Sequence, residues 1–215
     1  MIGRSASAAA PLLRHEARRC GPAVWALPAA GVAAGAAVAA FPPEARSSLF
    51  PVSGTALAGL VALCVMAMLG GERIWELHLS TPVPVPVLVA RRLGIMAVLA
   101  AVSGAVAGGT ALAPASGTEG VSVVASGGAE SAVAVLCTAA PLSGVALWTW
   151  ARWDSVAAAS GTLIAVWLGY ALLWAAHVPP AVDRPVCAVA GALLVWRGLR
   201  ALDDPARVLA KESPR

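Results

Sequence analysis

The chain has 215 residues, 59% of them hydrophobic and only 12% charged, with a mean hydropathy of +0.79. Soluble domains carry about 25% charge, so an ordinary soluble fold is excluded. The formal net charge of +4 comes with no dense basic run away from the apolar segments, which argues against nucleic-acid binding. Polar residues are instead gathered into a few short stretches, the pattern of a chain built to live in lipid.

In chain order, residues 1–21 are polar and basic, and six apolar segments follow at 22–41, 51–70, 93–113, 131–151, 156–176 and 185–202. Each has the length of about 20 residues that crosses bilayer hydrocarbon as a helix. A lipid-exposed backbone must satisfy its own hydrogen bonds, and these runs do not alternate as barrel strands do. The expected fold is therefore all-α: a polytopic membrane protein with six transmembrane helices over 22–202, a polar N-terminal segment 1–21 and a solvated tail 203–215. Arg18-Arg19 ahead of the first run has the look of a twin-arginine signal, but Cys20-Gly21-Pro22 follows and a retained helix is expected. Pro28 and Pro141 fall inside segments and predict kinks. Arg197 and Arg200, near the end of the sixth, are placed to snorkel.

Orientation follows from the arginines. Of fifteen basic residues, only Arg46 and Arg184 fall in the 41–50, 114–130 and 178–184 loops; the other thirteen fall on the opposite side. Basic residues accumulate in the cytoplasm, so both termini are expected there.

Small residues recur at helical spacing. Gly31 and Gly35, and the group Ser103, Gly104, Gly108 and Gly109, suit close helix approach. The pairs Ser53-Gly54, Ser103-Gly104, Ser143-Gly144 and Ser160-Gly161 invite comparison with a serine nucleophile, but no histidine lies within a segment, and packing is the better reading. Cys20, Cys64, Cys137 and Cys187 have no metal-ligand spacing and read as small apolar residues. The segments as bounded hold no acidic residue, and Lys211, the single lysine, has no glycine loop before it. The expectation is a chain without metal, catalytic residues or bound cofactor, and without an internal energy source.

Two features stand out. Trp167, Tyr170 and Trp174, with His177 one step on, share a helical face and are candidates for a substrate-facing surface, against a plainer reading as packing and an aromatic belt. Trp148, Trp150 and Trp153 read as an inner belt. The other feature is the charged stretch 71–92, expected on the cytoplasmic side. Glu72 and Glu76 are four apart beside Arg73, and Ser80-Thr81-Pro82 ends any helix there. Pro84 and Pro86 suit the opening turn of the third span, with Arg91-Arg92 facing lipid headgroups.

The pattern Glu72-Arg73-x-x-Glu76-Leu77-x-Leu79-Ser80-Thr81-Pro82-Val83, followed by a basic pair opening a span, resembles the second-to-third span loop of ABC-2 type ABC transporter permeases. The resemblance implies an ATP-driven exporter in a bacterial cytoplasmic membrane. ATP and Mg²⁺ would be held by a separate ATPase subunit, and a second permease chain, identical or not, would complete the unit. Glu72, Arg73, Glu76 and His78 would contact the ATPase; Thr81 and Pro82 would form the elbow that passes movement to the third span; residues 11–20 would be an interfacial connecting helix. The loop-poor outer face suggests a lipophilic cargo such as an antibiotic, peptide or lipid. Residues 178–184 are too few for the paired re-entrant helices common in that family. The alternative is a non-transporting structural, regulatory or immunity subunit; a membrane enzyme fits least.

Overall fold

Proline sets where several of these helices begin. Its ring fixes φ and its missing N–H is no loss in a first turn, where that donor lacks a partner anyway. In the computed structural model, which describes residues 22–70, 84–112, 120–153, 155–175 and 177–202, α1 (Pro22–Ala39), α2 (Pro43–Gly70) and α6 (Pro180–Leu202) all start on proline. Pro84 stands immediately before α3 (Val85–Leu112), and its carbonyl accepts from Val87 and Leu88, so the expected opening turn is present. α4 (Gly120–Trp153) is followed at once by α5 (Val156–Gly169), whose start is capped by Ser155 accepting from the Ala158 N–H. A π-helical turn, Tyr170–Trp174, ends α5.

Among the described residues the chain is all-helical. Five helical stretches are long and apolar enough to cross a bilayer: Glu44–Leu69, Val85–Ala111, Ser126–Trp153, Val156–Trp174 and Pro180–Leu202. By length and composition these make a multi-pass membrane protein. The first segment is a shorter apolar helix, Ala26–Ala39.

Most helices are longer than the apolar runs predicted. α2 begins eight residues before Pro51, α3 eight before Leu93, α4 eleven before Ser131 and α6 five before Pro185. Proline, glycine and charge lower hydropathy, yet they sit well in first turns. At 34 residues, α4 is about 51 Å long, well beyond the roughly 30 Å of bilayer hydrocarbon. The extensions bring Glu44, Arg46, Arg91, Arg92, Glu130, Asp183 and Arg184 into helices that as apolar segments held no charge there.

Backbone contact fixes the packing. Gly31 and Gly35 of α1 lie against Ser103 and Ala107 of α3, so the two run parallel. Gly104 and Gly108 of α3 meet Ala132 and Gly127 of α4 in antiparallel order. Gly191 and Gly198 of α6 meet Ala140 and Leu147 of α4, parallel again. The helices thus alternate in direction, and the three α4, α3 and α1 seams are made by small residues, as lipid-embedded packing requires. Gly54 and Gly161, predicted among the packing glycines, face open space instead. Several hydroxyls within the helices are satisfied locally: Ser103 donates to the Leu99 carbonyl, Ser53 to Phe50, Ser160 to Ala157 and Thr149 to Val145.

α2 and α4 form the interior, while α5 is the most exposed span. The core joins Leu57, Val61, Val65, Met96, Val135 and Leu147 from α2, α3 and α4. Trp150 belongs to this core at 6% exposure, so the inner belt reading fails there; Trp148 and Trp153 are exposed. Arg92, expected among headgroups, is also buried, because its face of α3 turns inward. Arg91 beside it is exposed. Arg200 lies 4.1 Å over the Trp196 ring. Arg46, read as a loop residue, is the C-terminal cap of α1: its Nε donates to the Phe41 carbonyl and its Nη2 to Ala39, both at 2.8 Å.

Candidate functional site

Helix direction gathers the C-terminal ends of α1, α3 and α5 and the N-terminal ends of α2, α4 and α6 at one end of the bundle. The two ends of α5 and α6 that meet there are tied by one carboxylate. Asp183, in the first turn of α6, sits where the helix dipole favours a negative charge. Its Oδ2 accepts from the Tyr170 hydroxyl at 2.9 Å, and its Oδ1 from Trp174 Nε1 at 2.8 Å and Cys187 Sγ at 3.3 Å. With its proton given to Asp183, Tyr170 is left to accept from Thr138 of α4 at 3.3 Å. Beside this clasp, Arg184 pairs with Glu130 of α4 at 2.9 Å. The π turn brings both Tyr170 and Trp174 onto the same carboxylate; such turns often occur at functional sites.

A cavity of about 320 Å³ opens against this cluster. Phe50, Pro51, Gly54 and Thr55 of α2 form one wall, Glu130, Ser131, Ala134 and Thr138 of α4 another, and Tyr170, Pro180, Asp183 and Arg184 close it. Thr138 and Ser131 are buried, whereas Glu130 is 65% exposed, which puts the ion pair at the solvent side. A mostly apolar chamber with a few convergent polar groups is the usual form of a small-molecule site. A second, almost wholly apolar groove of about 460 Å³ lies between α1 and α2, from Ala34 and Phe41 to Leu57 and Leu60.

The three aromatic candidates take different positions. Trp167 packs its ring on Gly59 and donates from Nε1 to the Thr55 carbonyl at 2.9 Å, tying α5 to α2. Tyr170 lines the cavity. Trp174 is exposed but held by Asp183. His177 turns back to the Leu173 carbonyl through Nδ1. Glu72, Arg73, Glu76, His78, Thr81 and Pro82 lie outside the described residues, as do Cys20 and residues 11–20. Cys64, Cys137 and Cys187 are thiols outside any disulfide. Among the described residues, no group of three His, Cys, Asp or Glu is placed to hold a metal. Only five residues separate Trp174, which ends the π turn, from Pro180, which starts α6, and this leaves no room for re-entrant helices between α5 and α6.

Sequence reasoning missed Asp183, Arg184, Glu130, Thr138 and Cys187. A signal was present. Tyr170 is the only tyrosine, and a tyrosine or tryptophan in an apolar segment needs a polar partner for its tip. Asp183 is the nearest acidic residue after it in the chain.

Compared with known proteins, the chain matches no family model, no curated protein and no solved structure.

Proposed function

We propose that this chain is the membrane-spanning permease subunit of an ATP-driven exporter, with six spans, both termini cytoplasmic, and a lipophilic cargo. The observation that carries the proposal is the charged, proline-ended stretch 72–84 between two long helices. α2 and α3 each have 28 residues, and the stretch joins their ends opposite the cavity. A partner gripping it would hold the start of α3. α3 in turn meets α1 and α4 backbone to backbone through Gly31, Gly35, Gly104 and Gly108, so a tilt of α3 would carry both neighbours with it. ATP and Mg²⁺ belong to the partner ATPase in this reading, and a second permease chain completes the assembly. The end that holds Arg46 and Arg184, and with it the cavity, faces outward by the distribution of basic residues.

The expected outcome of reversing the loop charges, with Glu72→Lys and Glu76→Lys together, is normal membrane insertion and melting temperature. Retention of the ATPase on the purified chain should fall about tenfold or more, the scale of losing paired interfacial charges, and ATP-driven export should fall with it. Unchanged retention and export would leave the non-transporting subunit as the better reading.

A further inference from the structure

We propose that the cavity at the Asp183 end binds a small monocationic amphiphile: one ammonium group on an apolar body. Three observations converge. The cavity of about 320 Å³ lies at the lower end of the range for small-ligand sites. Its wall includes Phe50, Pro51, Ala134 and Val178, which suit an apolar body, and Tyr170, an aromatic of the kind that attracts a cation. Its charged lining residues are Glu130, Asp183 and Arg184, two carboxylates against one guanidinium, which is a formal charge of −1.

The alternative charge is disfavoured by the same geometry. An anion would need the α6 N-terminus or Arg184. Asp183 already occupies the first, within the opening turn of α6, and Glu130 holds the second at 2.9 Å. Arg184 engages only Oε1 of Glu130, and the Glu130 side chain is 65% exposed, which leaves its second oxygen for an ammonium group. Binding by this site does not depend on the exporter reading, but the further claim that the bound amine is cargo rests on it. Failure of binding would leave the ATPase interaction intact, and failure of the ATPase interaction would leave binding intact.

The test is calorimetry on the full chain in maltoside micelles, with benzyltrimethylammonium, benzyl alcohol and benzenesulfonate as probes. The cation should bind tightest and the anion weakest. Glu130→Gln should weaken cation binding about fivefold and Arg184→Gln should strengthen it about fivefold, the scale of one partly screened charge. Opposed shifts separate a charge effect from local unfolding, which would move both variants the same way. Adding a phosphocholine-headed lipid distinguishes the source. Competition identifies a lipid headgroup as the ammonium donor, and lack of it identifies a free amine; both keep the cation site. Absence of binding, preference for the sulfonate, or parallel shifts in the two variants would overturn the proposal.

Discussion

Gly104→Leu is expected to be among the most damaging single changes in the bundle, at about 3 kcal/mol. A Cβ at Gly104 would lie 2.9 Å from the Cα of Ala132 and 3.0 Å from the Ser131 carbonyl oxygen. Both are backbone atoms of α4, so the helices themselves must separate. That separation also loosens Gly108 against Gly127 on the same seam. Gly161 supplies the contrast: it lies in α5 with open space around it. Gly161→Ala should be neutral or stabilise by up to about 1 kcal/mol through helix propensity alone. Unfolding in detergent can be followed with a thiol-reactive dye, because Cys64 and Cys187 are buried thiols outside any disulfide. The leucine variant should expose them at a temperature several degrees lower and the alanine variant at no lower temperature. Equal melting of the two would show that the α3–α4 seam tolerates separation.

Asp183→Ala should cost about 2 kcal/mol, since it leaves the Tyr170 hydroxyl and other donors without their acceptor. Three side chains converge on this carboxylate, but Trp174 is exposed and recovers a partner from water or headgroups. The cost therefore falls mainly on Tyr170, which is also held by Thr138. Asp183→Asn keeps both oxygen and shape at one position and should cost less than half as much. Thermal melting ranks the two, and tryptophan fluorescence should shift to the red in the alanine variant as Trp174 is freed. If both variants melt like the parent, Asp183 does not hold α5 to α6.

The helices were legible because each of the first five segments is an uncharged run of about 20 residues and the sixth is apolar up to Arg197, and nothing but a helix satisfies such a run in lipid. Their starts were not. Pro43, Pro180 and the Glu130 turn lower local hydropathy, so a reading by hydropathy begins each helix too late, although proline at a first position is favourable. This error also placed Asp183 and Arg184 in a loop, and so concealed the site. Its contacts are long in sequence: Glu130 and Arg184 are 54 residues apart, and Thr138 and Tyr170 are 32 apart. No spacing rule links such pairs before the helices are assembled. The glycine seams were partly legible. Four-residue spacing marked Gly31 with Gly35 and Gly104 with Gly108, but the same Ser-Gly pairing also marked Gly54 and Gly161, which pack against nothing. Burial of Arg92 and Trp150 was hidden for a similar reason, since residue type predicts an interface and only helix rotation decides which face turns inward.

The proposed function turns on whether a separate motor holds the 72–82 stretch. The most direct measurement places a photo-crosslinking amino acid at position 76 in the full chain, in native membranes, and identifies the captured protein by mass spectrometry. The account predicts an ATPase with a P-loop, joined from the cytoplasmic face, with a yield that changes when ATP is added. Capture of no nucleotide-hydrolysing protein, or labelling of position 76 from the outer face, would contradict it.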